Sequence, residues 1–342
     1  MHTALRSLFL SLPLVACGPE QPKSDSMNNP LASASTLPFQ APVFDKLTDS
    51  DYEPAIEAGM AEQLAEVEAI AANAEPPSFE NTIVAMEKTG RDLTRASNVF
   101  FNLTGSATND SLQAVKARLM PKLSAHNDAI TLNAALFKRV KAVYDRRSNA
   151  GLDPVQQRLV ERYYTRFVRA GALLDETGKD QLKKLNEEEA NLNTKFQDNI
   201  LKARSASAVI VENKAELAGL SEEAIAAAAE AAKAKGHEGK WLIELINTTG
   251  QPALASLTDR GLRERIHKAS IGRNTSGETD NRPIVARLAQ LRAQKAQLLG
   301  FPNWASYVMD DQMAKTPEAA LELLGGLAPN AARNALAEAA KL

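Results

Sequence analysis

Apolar residues recur at helical spacing along nearly the whole chain after residue 50. Ile56, Met60, Leu64, Val67 and Ile70 follow one another at intervals of three or four, which predicts a first helix. Ser50 and Glu53 stand at the spacing of a capping box in front of it, with Pro54 in its first turn. Phe79, Ile83, Met86, Leu93 and Phe100 predict a second helix starting near Ser78. A third runs through "NDSLQAVKARLMPKLSAHNDAI", with a kink or break expected at Pro121, and a fourth through "NAALFKRVKAVYDRR". Asp153–Pro154 places a capping residue before a proline at the first helical position, so a fifth helix opens there. A long sixth carries Leu182, Leu185, Leu192, Phe196 and Ile200.

The period then changes. "SAVIV" (207–211) and "KWLIELI" (240–246) are short β-branched or apolar runs that fit strands, and an alanine-rich helix capped by Ser221 lies between them. Helical patterning resumes at "DRGLRERIHKASIGR" and at "NRPIVARLAQLRAQKAQLLG", which stops at Gly300. "PNWASYVMDDQMA" follows, and Thr316–Pro317 opens a last helix. The fold class predicted is mostly α, many helices with one small β element near 207–246.

The first 43 residues do not follow this pattern. Arg6 precedes the apolar stretch Leu8–Ala16, too short to remain as a membrane-spanning helix, and the stretch ends in "LVAC". Residues 1–17 are therefore read as a lipoprotein signal peptide with Cys17 as the lipidated residue, giving an exported protein anchored to the membrane on its periplasmic side. Cys17 is the single cysteine, which rules out an intramolecular disulfide and leaves no thiol for catalysis or metal binding in the mature body. Residues 18–43, rich in Pro, Ser and Asn, are read as a flexible tether.

Charge adds an exclusion. Forty Lys and Arg against 42 Asp and Glu leave a net charge of −2, and no basic run with interleaved aromatics occurs, so nothing points to nucleic acid. The most suggestive chemistry is "GHEGKW" (236–241), which begins like the zinc-peptidase motif H-E-x-x-H. After His237 and Glu238, however, the second histidine position holds Trp241, and Gly236 and Gly239 argue for a turn leading into a strand. His126 and His267 each stand alone on a predicted helix. No G-x-S-x-G elbow occurs, and "LGGLAP" lacks the length and the lysine of a P-loop. Glu187, Glu188 and Glu189 are read as the wet face of their helix, and Asp310–Asp311 as a solvated helix edge. No catalytic residue and no metal ligand is assigned.

A resemblance changes the picture. "NRPIVARLAQLRAQKAQLLGFPNWASYVMDDQMAKTPEAALELL" (281–324) resembles the segment that precedes the catalytic half of M3-family zinc oligopeptidases. "FDKLTDSDYEPAIEAGM", "FENTIVAMEKTG", "VFFNLTGSATN", "LLDETGKDQLKKLNEEEANLNTKFQDNI" and "LINTTGQPALASL" extend the likeness back to about residue 30. The wording of "VFFNLTG" and "NTTGQPALASL" is nearest the peptidyl-dipeptidase branch, with oligopeptidase A second. The resemblance implies that residues 44–342 are the helical N-terminal half of a zincin-type peptidase, without the catalytic half. It implies zinc as the cofactor of the whole enzyme but not bound by this chain, short peptides as substrates, release of C-terminal dipeptides, and no activity for this chain by itself. The alternative is a non-catalytic helical periplasmic lipoprotein that binds peptides or acts as an adaptor.

Overall fold

The computed structural model describes residues 29–246 and 250–341. The signal peptide and Cys17 lie outside them, as does the first part of the tether. Of the described part of the segment read as tether, residues 29–31 are docked on the body, while most of residues 32–41 are exposed. Leu31 is buried, Asn29 Nδ2 donates to the Asp51 carbonyl at 2.7 Å, and Arg95 donates to the Leu31 carbonyl.

The body is built from helices α1 (Asp49–Ala71), α2 (Ala85–Glu87), α3 (Arg91–Ser106), α4 (Asp110–Thr131), α5 (Ala134–Arg146), α6 (Pro154–Arg169) and α7 (Glu176–Ala206). The start of α1 corrects the predicted capping box. The cap is Thr48, whose backbone N–H donates to Asp51 at 2.7 Å, and Pro54 lies inside the helix. Ser78 caps as predicted, but into a π-helical turn, Phe79–Val84, that leads to α2. The predicted second helix is then broken. Gly90, at φ +68°, turns the chain into α3, a conformation open to glycine. Helix α4 runs on through Pro121. Asp153 accepts from Val155 and Gln156 at the head of α6, as its sequence required.

Helix α1 joins two cores. Its first half packs Tyr52, Ile56 and Met60 against Ala96, Val99 and Phe100 of α3 and Leu112, Val115 and Leu119 of α4. Its second half packs Val67 and Ile70 against Ile83, Met86, α5 (Leu136, Phe137, Val140, Val143) and α6 (Val160, Phe167). Helices α1 and α3 approach closely at Gly59, where an added Cβ would lie 2.6 Å from the Leu93 backbone nitrogen. Two arginines of α5, one helical repeat apart, hold the connection before α2. Arg139, itself buried, donates to the carbonyls of Asn73 and Glu75 and to Asn81, and Arg146 donates to the Pro77 carbonyl at 2.6 Å.

After α7, strands β1 (Val209–Val211) and β2 (Trp241–Ile243) pair antiparallel, Val209 opposite Ile243, with α8 (Glu222–Ala234) between them in sequence. With α9 (Ala253–Ser256) and α10 (Arg260–Ile271) they enclose a third core of Val211, Leu217, Ile225, Leu245, Leu257, Leu262 and Ile266. Helix α11 (Arg282–Leu298) returns to pack on α7, α12 (Trp304–Asp310) packs on α11, and α13 (Pro317–Ala339) carries no buried residue. A mostly helical molecule with one two-stranded sheet is thus observed, as the pattern required. No helix among the described residues is long and apolar enough to cross a membrane.

Candidate functional site

A cleft is walled by α4, the end of α6, α7, α11 and α12. Two adjoining hollows of about 470 and 420 Å³ share Asn127, Arg169, Ala170 and Tyr307. The heptad-like spacing of α7 aims Leu182, Asn186, Glu189 and Asn193 into the larger one, opposite Ser124, Asn127 and Asp128 of α4.

Charge holds these walls together. Glu189 accepts from Lys295 at 2.6 Å and from Arg292 at 3.1 Å, and its side chain is only 13% exposed. Burial pushes its carboxyl up, but Lys295 and Arg292 together outweigh burial and hold it below the usual range. Glu188 accepts two bonds from Arg287. Of the three glutamates read as a wet face, only Glu187 is exposed. The other two bind α7 to α11. Asp310 and Asp311 are likewise not a bare helix edge, since Arg169 donates to Asp310 at 2.8 Å and Arg162 to Asp311 at 3.1 Å. The Arg169 guanidinium also lies 4.5 Å from the centre of the Tyr307 ring, a cation–π contact, and Tyr307 donates to the Arg169 carbonyl. These bonds seat α12 as one rim of the cleft.

The floor carries polar side chains of α4 and α7. Asp128 is buried and accepts from Asn186 Nδ2 at 2.7 Å. Burial pushes its carboxyl up, against the pull of the Asn186 bond and of Lys295 and Lys183. Burial also raises Tyr307 and Tyr163, the latter helped by its 2.5 Å hydrogen bond to Glu87, so both remain phenols at neutral pH. The cleft offers amide, phenol and carboxyl groups to a polar chain. Among the hydrogen bonds of its lining residues, Tyr163 to Glu87 pairs a hydroxyl with a carboxylate.

The three histidines of the body are not brought together. His126 is buried on α4 and hydrogen-bonds Gln63 Oε1 at 2.7 Å, and burial lowers its pKa. His267 is exposed on α10. His237 stands in the turn between α8 and β2, with Gly236 at φ +79° and Gly239 at φ +80°, which is the turn that "GHEGKW" predicted. Among the described residues no group of three or more His, Cys, Asp or Glu could hold a metal ion. The donor set therefore does not fit a zinc site, which needs three ligands converging on one point.

Residues 253–342, which begin with α9 and include α13, match the model of peptidase family M3. Dipeptidyl carboxypeptidase of Escherichia coli is 46% identical over 315 residues, covering 92% of this chain and 46% of that protein. Oligopeptidase A of the same organism is 27% identical over 92% of this chain, and the organellar oligopeptidase A of Arabidopsis thaliana 30% identical over 84%. The chain spans about half the length of the relatives it matches, 46% for both E. coli proteins.

Proposed function

We propose that this chain is the N-terminal, channel-forming portion of a zinc metallopeptidase that hydrolyses short peptides and releases dipeptides from their C-terminal ends. The observation that carries the reading is the 46% identity with a dipeptidyl carboxypeptidase over 92% of this chain. The charged seams of the cleft support a structural part in it. Salt bridges from α7 to α11 and from α6 to α12 fix walls around amide and phenol groups able to bond a peptide backbone. The zinc and its hydrolytic chemistry belong, in this reading, to residues other than those described, and no step is assigned to side chains of this chain. The same reading has the protein exported and anchored at Cys17, supported by Arg6, the apolar run Leu8–Ala16 and the "LVAC" that ends it.

The test is the reading frame that follows the codon for Leu342. An in-frame H-E-x-x-H is expected, with dipeptide release from the C-terminal end of an N-blocked peptide by the whole product, abolished by a chelator. A stop codon without such a motif nearby, together with peptide binding by this chain without cleavage, would replace the reading with a peptide-binding lipoprotein. Incorporation of labelled palmitate, lost in Cys17→Ser, tests the anchor separately.

A further inference from the structure

Arg118, Lys122 and His126 follow one another at intervals of four on α4, and each reaches α1. Arg118 binds Glu53, Lys122 binds Glu53 and Glu57, and His126 binds Gln63. The two lysine and arginine rungs lie at the surface, where ion pairs are worth little. The third rung is buried. His126 is 8% exposed, and its Nε2 lies 2.7 Å from Gln63 Oε1.

The Gln63 amide is oriented by its other end. Its Nε2 donates to Thr89 Oγ1 at 3.3 Å, while the Thr89 hydroxyl donates to the Met86 carbonyl at 2.9 Å. The amide also packs on Gly90, where an added Cβ would lie 2.4 Å from that Nε2. The Gln63 oxygen therefore accepts, His126 carries its proton on Nε2, and Nδ1 is the bare nitrogen of a neutral ring. Nδ1 is buried and has no hydrogen-bond partner among the described residues. A proton added there creates a buried, charged N–H without an acceptor, which the fold resists.

The charged groups on the packed elements are engaged elsewhere. On α1, Glu66 accepts from the Gly90 amide, and Glu62 bears on Asp92 and Arg95 of α3, themselves an ion pair. On α4, Lys122 is held by Glu53 and Glu57, and Asp128 accepts from Asn186 of α7. Lys183 of α7 binds Asp180. Burial alone acts on the imidazole, and it lowers the pKa. The same helix carries Ser124, Asn127 and Asp128 into the cleft, so the seating of α4 on α1 also sets where that wall stands.

We propose that His126 is an acid-sensitive latch: neutral, it ties α4 to α1, and protonated by solvent at Nδ1 it releases that joint and frees the α4 wall of the cleft. The sign follows from a base that the fold keeps neutral. Between the unfolded value of about 6.5 and the lower folded one, the unfolded chain binds one proton more than the folded chain, so stability falls as pH falls. Asp128 works the other way, because burial raises its carboxyl, and a variant at position 126 separates the two.

His126→Gln keeps a donor for Gln63 and carries no charge at any pH. In chemical denaturation of the 342-residue chain between pH 7 and 5, the unfolding constant of the wild type is expected to rise against that of the variant by about ten-fold per pH unit below about 6.5, until His126 itself titrates. Amide hydrogen exchange at pH 5 is expected to be faster over α4 and the middle of α1 in the wild type than in the variant, with α8 and α10 alike in both. Gln63→Glu gives a second reading that does not depend on the first variant folding. Its carboxylate beside the imidazole is expected to raise His126 and remove the acid loss of α4 protection. Exchange at the histidine Cε1 position, followed by mass spectrometry, is expected to place wild-type His126 below the exposed His267. An imidazole that titrates together with His267, or α4 protection lost equally with and without the imidazole, overturns the proposal.

Discussion

Helices α1 and α13 make an instructive pair. Both have 23 residues, both follow a threonine cap, and both contain an internal proline that removes one rung of the backbone ladder. Helix α1 buries Tyr52, Ile56, Gly59, Met60, Val67 and Ile70. Helix α13 buries nothing, although Leu321, Leu323, Leu324, Leu327 and Leu336 are apolar enough for a core and stand between 57% and 73% exposed. Apolar content is therefore not what buries a helix in this molecule. Helix α1 is covered by α3, α4 and α5, whereas α13 touches α12 at its base. What holds α13 helical is local: the Thr316 hydroxyl accepting from Ala319, Pro317 at the first position, and a run of alanine and leucine. One helix is stabilised by its neighbours and the other by its own sequence.

The contrast can be broken at several points. The largest effect is expected in the core: Ile56→Ala should cost about 2–5 kcal/mol in chemical denaturation, and Leu324→Ala on α13 less than about 0.5 kcal/mol. Equal losses would show that α13 is covered in solution. Next comes Gly59→Ala, expected to cost about 1–3 kcal/mol because its Cβ meets the Leu93 backbone, despite alanine's better helix propensity. An unchanged midpoint would mean that α3 can retreat from α1.

The α7–α11 seam lies between the two extremes. Glu189→Gln should cost about 1 kcal/mol at neutral pH, the scale of a charge-assisted hydrogen bond. The sign with pH follows from a carboxyl held lower in the folded state. Its stabilisation is complete above the unfolded value of about 4.3 and is lost as pH falls through the folded value. Acid titration of the wild type and Glu189→Gln should therefore converge below that window, and a constant gap down to the acid end would refute the clamp. The smallest effect returns to α13. Gly325→Ala, where a Cβ meets nothing within 4 Å, should stabilise by about 0.5–1 kcal/mol, the reverse of Gly59. A loss there would reveal a neighbour that α13 does not show.

Most elements were legible because their signals are local. Asp153–Pro154, Ser78, Ser221 and Thr316 are caps whose side chains bond the next turn wherever they occur, and the structure places helix starts at each. The two strands were placed correctly but are shorter than their apolar runs, since only Val209–Val211 and Trp241–Ile243 face each other in register. The break at Gly90 was hidden because Phe79, Ile83, Met86, Leu93 and Phe100 keep helical phase across it. The cleft was the least legible part. Glu189 is about a hundred residues from Arg292 and Lys295, and nothing within seven residues of Glu189 distinguishes it from Glu187. Long-range ion pairs leave no local period, so a buried carboxylate and a solvated one read alike.

The connection between α1 and α2 gives a last consequence. It has the exposure and the two prolines of an ordinary surface loop, yet Arg139 and Arg146 of α5 fasten its carbonyls from below. This loop cannot lift without breaking its bonds to the buried Arg139 guanidinium. Nicking there should wait for global unfolding, so a segment that looks like the softest seam of the molecule is among its most durable.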